Sequence, residues 1–212
     1  MAVLDSINNA IAWLKQAVYE LEQAASQSPS SPSNPQTDSP PDVRIAWGAK
    51  ISPTFKARVL WIADSLGCDP SDLMACMAWE SGETFSPGIK NAAGSGATGL
   101  IQFMPATAKA LGTSVASLAA LSAEDQLRYV YEYFKLYAGK LHNLGDVYMT
   151  ILWPKAVGQP DSFVLFDRAK TPTTFRQNAG LDVNHDNLVT RAECLVKVNG
   201  KLAKGLQEGY IG

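Results

Sequence analysis

Two groups of residues have the types and spacing to do chemistry. The first is a single carboxylate, Glu80, which closes the apolar run Leu73-Met74-Ala75-Cys76-Met77-Ala78-Trp79 just ahead of Gly82. A glutamate in the last turn of a helix opposes the helix dipole, which favours cations there. If residues 71–80 are helical, Leu73, Cys76 and Met77 share one face with Glu80. A carboxyl on an apolar stripe is desolvated, so its pKa rises. A carboxylic acid that keeps its proton near neutral pH can give it to a leaving oxygen, as in glycosidic bond cleavage. The plainer expectation is a glutamate that caps the helix end or pairs with a lysine.

The second group is LDVNHDNLVTRAE. It sets Asp182, Asn184, Asp186, Leu188, Thr190 and Glu193 at the first, third, fifth, seventh, ninth and twelfth positions of an EF-hand loop. Side-chain oxygens, the Leu188 carbonyl and a bidentate Glu193 would wrap a structural Ca²⁺. Asn187 replaces the usual glycine at the sixth position, although asparagine tolerates the left-handed backbone needed there. Thr190 and Glu193 also spell a capping box for the following helix, which is compatible with the loop. Two lone histidines, His142 and His185, are expected to be surface or internally satisfied residues.

Gly94, Gly96 and Gly99 form a GxGxxG, but no strand leads into it and Pro105 interrupts the segment after it. A dinucleotide site needs a strand before and a long helix behind, so the glycines are read as a loop that passes close to another chain segment or a ligand.

The elements that must position these groups are mostly helices. Ser52-Pro53 opens a helix to Leu66 closed by Gly67, and Asp69-Pro70 opens the next. Ser122 caps AEDQLRYVYEYFKLYAG, and Gly145 or Asp146 opens VYMTILW, which stops at Pro154. Period-2 alternation is almost absent, so the body is expected to be mainly α. Ahead of it, Leu4, Ile7, Ile11, Leu14, Val18 and Leu21 make a heptad seam, either a short coiled coil or a helix docked on its own domain. The segment SQSPSSPSNPQTDSPP has no apolar residue and reads as an extended linker. The expected organisation is an amphipathic helix over 1–25, a Ser/Pro linker over 26–43, a catalytic body over 44–178, and a calcium loop with a C-terminal helix over 179–212.

Composition narrows the partners. A content of 46% hydrophobic residues in 212 is enough for a core, and the formal net charge of -2 leaves no basic stripe to track phosphates. Nucleic acid is not expected as a partner. No apolar stretch has the length of a membrane span, and no secretory signal peptide is evident at the N-terminus. Cys68, Cys76 and Cys194 lack a CxxC spacing and are expected to be free thiols, mostly buried.

Glu80-Ser81 followed by Gly96-Ala97-Thr98-Gly99-Leu100-Ile101-Gln102-Phe103-Met104-Pro105 resembles the paired ES and GLMQ motifs of the lytic transglycosylase and goose-type lysozyme superfamily, over about residues 51–167. The wording GATGLIQFMPATA is most similar to bacteriophage-borne members. The resemblance implies a lysozyme-like helical domain that cleaves the MurNAc-GlcNAc β-1,4 bond of bacterial peptidoglycan, with Glu80 as catalytic acid. It implies substrate contacts from Ser81, Gly99, Leu100 and Gln102. The family's third motif, a tyrosine in an AYNxG-like segment, is only partly matched around Tyr148, a candidate groove residue whose alternative is a packed core tyrosine.

Most glycosidases need a second carboxylate, for which Glu83, Asp146 and Asp161 are available. Glu83 is expected to be a solvated loop residue. The resemblance implies instead that the substrate's 2-acetamido group assists. The product is then a 1,6-anhydro sugar or, if water attacks, a reducing end. No cofactor is expected for catalysis. The expected setting is a phage virion or an infected host cell, with action on periplasmic peptidoglycan. Attachment to tail proteins or self-association would run through residues 1–25, and the alternatives are a freely diffusing endolysin or a non-catalytic glycan-binding virion protein.

Overall fold

The structure, a computed structural model, describes residues 43–92 and 94–212. The expected N-terminal helix and all of the linker except Val43 lie outside the described residues. Residues 43–212 form one compact unit.

The unit is mainly α-helical. Helix α1 (Pro53–Leu66) begins where the Ser52 hydroxyl accepts from the Phe55 N–H and ends at Gly67. Helix α2 (Pro70–Glu80) begins at Asp69, whose side chain accepts from the Ser71 N–H. Two short helices come next, α3 (Pro105–Ala110) and α4 (Val115–Ala119), then α5 (Ala123–Phe134) behind its Ser122 cap. Helix α5 gives way to a 3₁₀ turn at Lys135, earlier than its amphipathic pattern suggests. Helix α6 (Leu144–Leu152) is capped by Asn143, not by Gly145 or Asp146. The Asn143 side chain accepts from the Asp146 N–H, which puts Asp146 inside the first turn. Helices α7 (Pro172–Asn178) and α8 (Arg191–Gly205) complete the set.

One small sheet accompanies the helices of this mainly α body. Strand β1 (Val164–Asp167) pairs antiparallel with β2 (Leu188–Thr190), with an irregularity between Val164 and Phe166. Three-residue pairings are too short to show alternation in a sequence.

Helix α2 is the axis of the core. Leu73 to Ala78 are all buried, and α1, α6 and α8 pack around them. A helix apolar on every side is one surrounded by others. Burial of side chains such as Leu73 and Met77 contributes roughly 1.5–3 kcal/mol each. Although the sequence marks residues 179–212 as a separate segment, α8 packs on α2, and the Ile45 N–H donates to the Gly212 carbonyl at 2.8 Å. The three cysteines are free, with Cys76 and Cys194 buried and Cys68 partly so.

Candidate active site

Helix α2 ends at Glu80, and the chain reverses at once. Gly82, Glu83 and Phe85 take positive φ of 60°, 68° and 49°. The Ser81 hydroxyl, fully buried, accepts from the Phe85 N–H at 3.0 Å and ties the turn to the helix end. Phe85 then packs edge-on to Trp47 and Phe55. The reversal leaves Glu80 at the wall of an open groove of about 640 Å³.

Glu80 is half-buried and, among the described residues, receives no hydrogen bond and no ion pair. Neither the helix cap nor the lysine pair is present. Burial pushes its carboxyl pKa up to about 7. Two phenols stand in its field. Burial raises the Tyr148 pKa, with the Glu80 charge adding to the effect. Burial also lifts Tyr133 on α5 to about 12, with Tyr137 and Glu80 contributing. Tyr148 lines the groove and its hydroxyl accepts from the Trp79 indole N–H at 3.0 Å, while the Tyr133 hydroxyl donates to the Thr150 carbonyl at 2.8 Å. The two hydrogen bonds join α2, α5 and α6 around the carboxyl.

Ile89 to Ala92, just ahead of the glycine loop, also line the groove, and the loop itself is held by short bridges of Lys90 and Phe103 to Thr98. Gln102, at φ 52°, lines the groove. Its side-chain amide donates to the Ile89 and Gly99 carbonyls at 3.3 and 3.1 Å, so a contact with a ligand would use its oxygen. Gly99 and Leu100 do not line the groove. Leu100 is fully buried, and its N–H donates at 2.7 Å to the Gln126 side-chain oxygen. Gly99 has φ 87°, and a Cβ there would stand 2.3 Å from the same Gln126 oxygen. These two residues and Ser81 therefore shape the groove from behind and are not part of its lining.

Gln126 was not legible as a site residue, yet it is the strut of the loop. It is fully buried on α5, and its amide also donates to the Pro87 and Leu118 carbonyls. A polar residue on the core face of an amphipathic helix, one position before Leu127, is the signal that could have found it.

The three candidate second carboxylates are all engaged elsewhere, and none lines the groove. Glu83 is not a solvated loop residue, because Lys201 and Lys204 of α8 both pair with it at 2.5 Å and hold its pKa below the usual carboxylate range. Asp146 is buried and pairs with Arg191 at 3.0 Å, while also accepting from the His142 and Gly158 N–H groups. Asp161 pairs with the same guanidinium.

In the C-terminal loop both Asp182 oxygens accept loop N–H groups, from Asp186 and Asn187. Asn184 accepts from Asp186, and Asp186 from Leu188. His185 and Asn187 take positive φ of 62° and 68°, so Asn187 adopts the left-handed form that its position requires. Glu193 reaches back to Val183 and Asn184 and completes the capping box with Thr190. Among the described residues no three His, Cys, Asp or Glu side chains converge to hold a metal ion. The expected calcium set is differently composed, since it draws also on the Asn184 amide and the Leu188 carbonyl.

Residues 61–149 match the family model of the transglycosylase SLT domain. The match spans Glu80, the glycine loop, Gln126 and Tyr148. No helix among the described residues is long and apolar enough to cross a membrane. The comparison with curated proteins found no match.

Proposed function

Residues 61–149 form a domain of the transglycosylase SLT family, in the lytic transglycosylase and lysozyme-like superfamily, and from that premise we propose that Glu80 cleaves the MurNAc-GlcNAc β-1,4 bond of peptidoglycan. The observation that carries this is Glu80 itself, unpartnered at the groove wall with a pKa near 7. Protonated, it gives its proton to the glycosidic oxygen as the C1–O bond breaks. With Glu83, Asp146 and Asp161 all ion-paired away from the groove, the positive charge at C1 is met by the substrate's own 2-acetamido oxygen. Glu80, now a carboxylate, removes a proton from the 6-hydroxyl of the same sugar, which closes the 1,6-anhydro ring and restores the acid. Gln102 and Tyr148 are the residues proposed to hold the sugar.

Glu80→Gln should lower release of soluble muropeptides from purified peptidoglycan by about a thousandfold. Equal release by both proteins would overturn the assignment and favour a non-catalytic glycan-binding protein. Mass spectrometry of the wild-type products reads the second half of the reaction, because reducing ends in place of anhydro ends make the enzyme a muramidase.

We further propose that a structural Ca²⁺ braces the loop over residues 182–193, with Asp182, Asn184, Asp186, the Leu188 carbonyl and Glu193 as ligands. The left-handed backbone at Asn187 and the oxygen-rich donor set fit a hard cation. Thermal unfolding should shift downward on chelation and recover with added Ca²⁺, and an unchanged midpoint would count against the ion.

A phage particle is the proposed bearer, with the similarity of GATGLIQFMPATA to phage-borne members supporting the phage and the heptad seam over residues 1–25 with the Ser/Pro segment behind it supporting attachment to a particle. Proteomics of purified virions should detect the chain, and its absence there would favour a freely diffusing endolysin.

A further inference from the structure

The groove is not built from the matched domain alone. Gln177, Asn178, Gly180 and Leu181, from the end of α7 and the turn after it, line it together with Lys197 of α8, and all five lie beyond residue 149. The lining contains one carboxyl, Glu80, and two ammonium groups, Lys90 and Lys197. The two ammonium groups outnumber the one carboxyl whether or not Glu80 holds its proton, so the groove is cationic in both states.

Lys197, Lys201 and Lys204 stand at spacings of four and three on α8 and so share a face. Glu83 takes Lys201 and Lys204. Lys197 is exposed and forms none of the ion pairs among the described residues. The two pairs anchor α8 to the turn beyond Glu80, so the stretch of helix that carries Lys197 is held in place beside the groove. A cation presented this way in a sugar groove fits an anion that the ligand brings. Sugar hydroxyls and acetamido groups are neutral; in a peptidoglycan strand the anions are carboxylates on the lactyl arm of the muramyl residue or on the peptide attached to it.

We propose that Lys197, with the amides of Gln177 and Asn178 beside it, forms a subsite for the carboxylate-bearing arm of a muramyl residue. The subsite would make the segment beyond the matched domain the part that separates muramyl strands from uncharged glycans. It rests on the peptidoglycan reading above.

The test compares wild type, Lys197→Gln and Lys197→Arg on three strands: intact, stripped of peptide to leave the lactyl carboxylate, and stripped with that carboxylate amidated. Lys197→Gln should raise KM about fivefold on charged strands with kcat within twofold, and Lys197→Arg should restore most of the loss. The difference should fade in about 0.5 M salt. A loss on intact strands alone assigns the peptide carboxylates, a loss on stripped strands alone assigns the lactyl carboxylate, which is free only once the peptide is removed, and a loss on both assigns a subsite that takes either carboxylate. An unchanged KM on both, or an equal loss on the amidated strand, overturns the subsite. The Kd ratio between Glu80→Gln and Glu80→Gln/Lys197→Gln for stripped strands is read in the same series. An inactive wild type would therefore sink the cleavage reading while that ratio still decides the subsite.

Discussion

The groove wall and the anchor behind it each hold a glutamate, one at the end of α2 and one on the turn after it, in opposite surroundings. Glu80 is half-buried with no partner, and its pKa is raised by burial. Glu83 lies on the left-handed turn, bound by two lysines, and its pKa is lowered by them. One residue type thus serves two purposes three positions apart. The acid is kept reactive by what is withheld from it, while its neighbour joins the turn to α8. Exchanging those surroundings would disable both.

The largest expected effect lies on the Glu80 side. Its folded pKa of about 7 exceeds the ordinary 4.5, so the native state binds its proton more tightly than the unfolded chain does. The cost of holding the carboxyl in the groove is absent below about pH 4.5, grows through pH 7 and is then constant. Glu80→Gln should therefore be more stable than wild type at pH 8, by on the order of 3 kcal/mol, and no more stable at pH 4. Denaturant titrations at the two pH values measure this, and a gain independent of pH would break the comparison.

A smaller effect appears in turnover. The pH-rate profile should fall about tenfold per pH unit above about pH 7, where Glu80 loses its proton. A rate that holds flat to pH 9 would mean that Glu80 is not the group giving the proton.

The smallest effect belongs to the anchor. Glu83→Gln should cost about 1 kcal/mol at pH 7, since the side chain is about a quarter exposed at 26% and the pairs are screened. The depressed pKa fixes the sign, because stability supplied by Glu83 is fully present above the ordinary carboxylate range and is lost as pH falls from there through its lowered folded pKa. The deficit should vanish once the pH is below that lowered pKa and shrink in high salt, and a pH-independent deficit would point to backbone strain at the turn instead.

How much of the molecule was legible in the sequence depends on how far each determinant reaches. The starts of α1, α2 and α5 were legible because a cap acts within three residues. Glu80 was legible as a carboxyl sharing an apolar stripe, which is a property of one helix. The partners of Glu83 lie 118 and 121 residues away, and nothing local to the turn announces them. Ser81, Gly99 and Leu100 are expected at the groove through the resemblance to the ES and GLMQ motifs, which marks stretches of chain and not the side chains that face the ligand. A chain bending around a ligand presents only some of its side chains, and burial decides which. The lysine spacing on α8 was present in the sequence as a same-face triad, but the groove it borders exists only once α8 is packed on α2.

The contact between Gly99 and Gln126 has a consequence for anyone transplanting this loop. A side chain at 99 is barred both by the left-handed backbone and by an oxygen arriving from another helix, the same oxygen that accepts the Leu100 N–H. The glycine motif is therefore not a portable cassette. A graft that carries residues 94–104 into another scaffold must import position 126, and the helix that delivers it, as part of the same module.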